Sequence, residues 1–192
     1  MDGRTWLGQR RADVVAAYDA EAPDYEEYPN DAQRDWVGRL LAECPDGGVV
    51  VDAPCGTRRY LPHIADAGIA VVRIDQSAGM LEQARLRNIA VALHHVGLQE
   101  MSFAAEFDAA VTIDAMENVP PEDWPPVLAN LHRAVRAGGL LYMTVEETDS
   151  SDLDEHFTRL TGDGHPAIRP SGARSSKGTS PAITTTRRSA RS

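Results

Sequence analysis

Val49-Val50-Val51-Asp52-Ala53-Pro54-Cys55-Gly56-Thr57 decides how this chain folds. An apolar run ends in an acid and a tight turn containing glycine. A second run, Val71-Val72-Arg73-Ile74-Asp75, ends in a lone carboxylate. Short apolar runs bounded by turn residues read as strands buried on both faces of a parallel sheet. Ligands of such sheets sit outside the carboxyl ends of the strands. Backbone N–H groups of the first turn then face the ligand. Asp75, nineteen residues beyond Gly56, is placed to accept hydrogen bonds from both hydroxyls of a ribose. Charge-assisted bonds of about 1.5–3 kcal/mol each make that grip worth roughly 2–4 kcal/mol. A ribose-bearing cofactor is therefore expected.

Upstream, residues 10 to 21 read as a short helix with Val14, Val15 and Tyr18 on one side. A second helix runs from about Asp31 to Cys44, with Trp36, Val37, Leu40 and Leu41 at helical spacing, and Pro45-Asp46-Gly47-Gly48 breaks it. Downstream, strands and helices alternate, the pattern of crossover-connected parallel strands. A helix from about Tyr60 to Ala67 accepts Pro62 only in its first turn. Strands follow at Ile69–Ile74, Val91–Val96, Phe107–Ile113 and Leu140–Val145. Between them, Ser77 caps a helix burying Met80, Leu81 and Ala84. Asp123 caps another, with Val127, Leu128, Leu131 and Val135 on one face, and Gly138-Gly139 is expected to stop it. Asp152–Leu160 suits one more helix. From Gly162 onward Ser, Thr, Gly, Pro and Arg dominate without periodicity, which reads as disorder.

The 192 residues suffice for one hydrophobic core. Nineteen basic residues oppose 29 acidic ones, for a net charge of −10. Six of the basic residues lie after position 166, where there is no acid. The first 166 residues thus hold 13 basic against 29 acidic residues, a charge of −16. So acidic a body repels phosphate backbones and disfavours a nucleic-acid partner. No apolar run approaches the roughly 20 residues that span a bilayer, so no membrane partner is expected. The start lacks a signal-peptide pattern, and Cys44 and Cys55 stand apart without metal-type spacing; a cytoplasmic setting is expected.

These segments resemble the class I S-adenosylmethionine-dependent methyltransferases, small-molecule branch. Val49–Thr57 is similar to the first motif and Asp75-Gln76-Ser77-Ala78-Gly79-Met80-Leu81 to the acidic ribose motif. Phe107–Glu117 matches the fourth strand, and Leu131–Val145 the last helix and fifth strand. Tyr18-Asp19-Ala20-Glu21-Ala22-Pro23-Asp24-Tyr25 resembles the cap segment of the group. A nicotinamide-dependent oxidoreductase is the alternative, but its fingerprint has three glycines where Pro54-Cys55-Gly56-Thr57-Arg58-Arg59 has one, leaving no room for a pyrophosphate. An amide methyltransferase acting on DNA or protein is disfavoured by Asn118-Val119-Pro120-Pro121-Glu122, which has an intruding valine and no aromatic residue.

The resemblance implies a doubly wound α/β, Rossmann-like fold with a mostly parallel sheet in the order 3-2-1-4-5. It divides the chain into an N-terminal helical cap (1–30), an S-adenosylmethionine-binding domain (31–147), and a short helix with a disordered basic tail (148–192). The cofactor is expected to be S-adenosylmethionine and the partner a small-molecule methyl acceptor. Asp52 and the backbone of Ala53, Pro54, Cys55 and Gly56 would cradle its amino-acid part, and Asp75 with Gln76 its ribose. Leu98 and Gln99 would meet the adenine, and Asp114 the methionine portion. Methyl transfer is an in-line displacement accelerated mainly by positioning, so no catalytic residue and no metal ligand is assigned. Glu117, His94 and His95 are candidate bases by location only. Tyr18, Tyr25 and Tyr28 are candidates to close over the pocket.

Two departures from the family pattern stand out. Arg58 occupies the place of the third glycine, where a side chain at positive φ costs about 1–2 kcal/mol and sets a cation near a sulfonium. Nothing from Gly162 on resembles the family's antiparallel sixth and seventh strands. Strand five is then expected to be an exposed edge, with a marginal fold and weak cofactor binding. A non-catalytic remnant of the fold is the corresponding alternative function. A truncated or frame-shifted tail would explain the departure. With GC-rich codons each read from its third base, Gly172–Arg188 becomes GEVVEGDVAGYHHYPP, an acidic, strand-like stretch. Gene codons incompatible with that frame would end the idea.

Overall fold

The computed structural model describes residues 3–25, 31–57, 60–87, 91–145 and 180–185. Five helices, α1 (Gly3–Glu21), α2 (Asp31–Ala42), α3 (Leu61–Asp66), α4 (Ala78–Arg87) and α5 (Trp124–Ala134), surround one sheet. Its strands are β1 (Val49–Asp52), β2 (Ala70–Asp75), β3 (Ala92–His95), β4 (Phe107–Thr112), β5 (Val135–Val145) and β6 (Ser180–Thr185). They lie in the order β3-β2-β1-β4-β5-β6. The first five are parallel, in the expected order 3-2-1-4-5.

Alternation along β1 explains the two layers. Val51 faces one core with Ile74, Ala110, Met116, Val127 and Leu131, beneath α5. Val50 faces the other with Val37, Leu40, Ile64, Ala109 and Tyr142, beneath α2 and α3. Ile64, Val127 and Leu131 are fully buried, each contributing about 1.5–3 kcal/mol of hydrophobic stabilisation. Local signals act as expected in α3 and α4. Pro62 sits in the first turn of α3, and Ser77 Oγ accepts the Met80 N–H at 3.0 Å.

Several expectations are corrected. Asp123 occupies the N-cap position of α5 without bonding its backbone; its carboxylate instead takes two bonds from Arg11, one from Nε at 2.8 Å. Gly138-Gly139 does not stop a helix, because α5 ends at Ala134 and β5 begins at Val135. The pair is needed for close approach between strands. A Cβ on Gly139 would fall 2.5 Å from the Asp108 carbonyl oxygen and from Val135 Cγ1. The β4–β5 register shifts at this point, between Phe107 and Ala109. The segment Ser180–Thr185, expected to be disordered, pairs antiparallel with Leu140–Val145, so β5 is not an edge. The remainder of the tail, the Asp152–Leu160 helix, Tyr28 and Arg58 lie outside the described residues.

Helix α1 starts seven residues earlier than expected and buries little of itself, Val14 being its one fully buried apolar side chain among the described residues. Polar latches hold it instead. Asp19 Oδ1 accepts the Ser77 hydroxyl at 2.6 Å and the Gly79 N–H at 2.9 Å, while Arg11 is paired with Asp123. Gly79 lies so close that a Cβ would meet Ala22 Cβ at 3.0 Å and Asp19 Cα at 3.1 Å. Gly79→Ala is therefore expected to push α1 away at a cost of about 1–3 kcal/mol. Hydrogen exchange should show lost protection in residues 10–21 with the sheet unchanged; unchanged protection of α1 would refute the latch.

Candidate functional site

The carboxyl ends of β1, β2 and β4 open into a single cleft of about 870 Å³, counting its open mouth. The first turn begins at the end of β1. Ala53 N–H bonds the Val111 carbonyl at 3.0 Å, Cys55 N–H bonds the Ile74 carbonyl at 2.8 Å, and Ala53-Pro54 is a cis peptide. Gly56 follows at φ +52°, a left-handed conformation that glycine adopts without Cβ strain. Its N–H points at Asp75 Oδ2, 2.9 Å away, and the Ser77 N–H meets Asp75 Oδ1, also at 2.9 Å. One carboxylate thus ties the β1 turn to the start of α4. Asp75 still lines the cleft although almost wholly buried. Burial raises its pKa above the ordinary carboxylate value, against the lowering effect of the Ser77 and Gly56 N–H groups and of Arg73.

Asp52, Pro54, Cys55 and Gly56 line the cleft on the β1 side, and Gln76 beside Asp75. Ala53 belongs to the core beneath, so only its backbone is available there. Leu98 and Gln99 form a further wall. Helix α5 secures that wall from behind. Asn130 Nδ2 donates to the Leu98 carbonyl at 2.9 Å, and Arg133 donates to the Met101 and Phe103 carbonyls at 2.7 and 3.2 Å. Asp114 stands just past β4 at φ +50°, an unusual conformation for a residue other than glycine. Its N–H is held by Thr144 Oγ1 at 2.8 Å, and its Oδ1 accepts Gln33 Nε2 at 2.9 Å. Tyr60 donates its hydroxyl to Gln33 Oε1. Burial, and secondarily the Asp114 charge, push the Tyr142 hydroxyl up to about 12. That phenol therefore stays neutral.

Tyr18 and Tyr25 line the cleft, their ring centroids 6.1 Å apart. The candidate bases fare differently. His94 packs edge-on against Phe103, His95 Nε2 lies 3.0 Å from the Gln76 carbonyl, and Glu117 is exposed; none is among the lining residues. Two contributors escape sequence reasoning. Gln33 is a buried polar residue whose partner lies 81 positions away. Arg73 is fully buried within β2, its Nη2 donating to the Cys55 carbonyl at 2.9 Å and its Nε 3.4 Å from Asp52 Oδ2. An arginine inside an apolar strand was the available signal.

Residues 50–139 match the methyltransferase-domain family. The chain is 31% identical over 157 residues to a malonyl-[acyl-carrier protein] O-methyltransferase of Serratia marcescens, covering 79% of this chain and 60% of that protein. It therefore spans less than two thirds of that relative's length. A dTDP-3-amino-3,6-dideoxy-alpha-D-glucopyranose N,N-dimethyltransferase of Streptomyces fradiae is 37% identical over 75 residues, covering 39% of this chain and 29% of that protein. The fold is that of magnesium protoporphyrin IX methyltransferase from Synechocystis PCC 6803, solved with bound SAM. The TM-score is 0.60 at 17% identity, over 76% of this chain and 83% of that one. Strand order, the Gly56 turn with its Asp75 tether, and these likenesses converge: the chain belongs to the class I S-adenosylmethionine-dependent methyltransferases.

Proposed function

We propose that this chain binds S-adenosylmethionine in the cleft and directs its methyl group to a small-molecule acceptor. The observation that carries the reading is Asp75, whose two oxygens hold the Gly56 and Ser77 N–H groups while the carboxylate lines the cleft. A carboxylate oxygen accepts more than one hydrogen bond, so a ribose fits against it without breaking the turn. The cleft also suits the ligand's charge, since Asp52, Asp75 and Asp114 all line it. When bound, S-adenosylmethionine supplies an electrophilic methyl carbon on a sulfonium. The chain's residues supply placement: Asp75 for the sugar, Leu98 and Gln99 for the base, and Asp52 with the Gly56 turn for the amino-acid end. Two lone thiols, Cys44 and Cys55, support placing the protein in a reducing cytoplasm. Among the described residues no helix is long and apolar enough to cross a membrane.

Calorimetric titration with S-adenosylmethionine, S-adenosylhomocysteine and a nicotinamide dinucleotide tests the reading. Single-site binding of the first two and silence for the third is expected. Binding of the dinucleotide alone would overturn it.

A further inference from the structure

We infer that the acceptor is an amine, bound as its ammonium against Asp114 and handed its methyl group at nitrogen. This deepens the function proposed above and rests on it. The sheet separates two ends of the cleft. Asp75 ends β2 and Asp114 follows β4, on opposite sides of β1, which at about 4.8 Å per strand puts them roughly 10 Å apart. With the nucleoside gripped at the β2 end, the reacting end lies towards Asp114.

That end is built for a cation. Asp114 is held in position by Thr144 on its backbone and Gln33 on Oδ1. Gln33 is itself buried and fixed by the Tyr60 hydroxyl. Tyr18, Tyr25 and Tyr60 all line the cavity, and aromatic faces attract ammonium groups by about 0.5–2 kcal/mol each. Among the described lining residues there is no lysine, arginine or histidine. A carboxylate acceptor would meet three aspartates and no described counter-charge, whereas an ammonium would meet its complement. The curated relative from Streptomyces fradiae is named as an N,N-dimethyltransferase of an amino sugar, which agrees in acceptor chemistry.

The step balances with the groups named. The ammonium gives one proton to the Asp114 carboxylate, freeing the nitrogen lone pair. That nitrogen forms an N–C bond to the sulfonium methyl as the C–S bond breaks, and the pair returns to sulfur to leave a neutral thioether. The product is again an ammonium, and Asp114 returns its proton to solvent.

The test compares two probes of like size, 2-phenylethylammonium and 3-phenylpropionate, titrated into the full chain with and without saturating S-adenosylhomocysteine. With the nucleoside bound, the ammonium is expected to bind at least tenfold more tightly than the carboxylate, and Asp114→Asn to remove that preference. Mass spectrometry with S-adenosylmethionine should then find the N-methylated amine. Equal or tighter binding of 3-phenylpropionate, binding of neither probe, or a preference that survives Asp114→Asn would overturn the inference. Failure of S-adenosylhomocysteine to bind at all would instead overturn the cofactor reading, so the two failures are told apart.

Discussion

Asp75→Asn is expected to lower S-adenosylhomocysteine affinity about 100-fold, or roughly 2.7 kcal/mol, the size of two charge-assisted hydrogen bonds weakened together. The loss has two sources. The amide offers one acceptor oxygen where the carboxylate has two, and its NH₂ would face the N–H of either Gly56 or Ser77. The turn is therefore misplaced as the sugar loses its charge partner. Acid should mimic the substitution. Burial sets the Asp75 pKa above the ordinary value, so falling pH neutralises the carboxylate earlier than it would an exposed aspartate, and nucleoside binding weakens with it. The fold responds with the opposite sign. A carboxyl whose folded pKa is raised holds its proton more tightly when folded, so this group's contribution to stability improves as pH falls through the raised value towards 3.8. Calorimetry against pH, beside thermal melts of both forms, checks both directions. Asp75→Asn with wild-type affinity would remove the sugar from this residue.

Arg73→Met is expected to destabilise the fold by about 3–5 kcal/mol, because it leaves a buried carboxylate without its counter-charge. At about 2–4 °C per kcal/mol for a chain of this size, the melting temperature should fall by roughly 10 °C. The Cys55 carbonyl also loses its donor, so nucleoside affinity should fall with stability. The ion pair is loose, with Nε 3.4 Å from Asp52 and both Nε and Nη1 lacking hydrogen-bond partners. The double variant Asp52→Asn with Arg73→Met should therefore recover at least half of the loss, giving a positive coupling in a double-mutant cycle. A double variant no more stable than Arg73→Met alone would show that the pair contributes nothing of its own.

Short-range chemistry was legible in the sequence and long-range chemistry was not. Val49–Asp52 is found as read because an apolar run between Gly48 and a turn has few other solutions. Ser77 caps α4 as its type and place demand. Gly138-Gly139 was misread because a glycine pair serves equally to end a helix or to admit a neighbouring strand, and only the approach of Asp108 decides. The extent of α1 was hidden because its latches reach Asp123 and Ser77, 112 and 58 positions away. Gln33 was missed for the same reason. Ser180–Thr185 has little strand character beyond Ile183 and its threonines, and takes its form from the open edge of β5. In the candidate site, Asp75 and Gly56 lie side by side as their spacing implied. Arg73 beneath them was not foreseen.

The Asp75 tether also governs the kinetics of encounter. Ordering one residue's backbone costs about 1–2 kcal/mol of conformational entropy. Because Gly56 and Ser77 are already held in the empty cleft, that cost falls on folding instead of association. A nucleoside thus arrives at a prebuilt receptor, and variants of its chemistry should differ in residence time far more than in how fast they arrive.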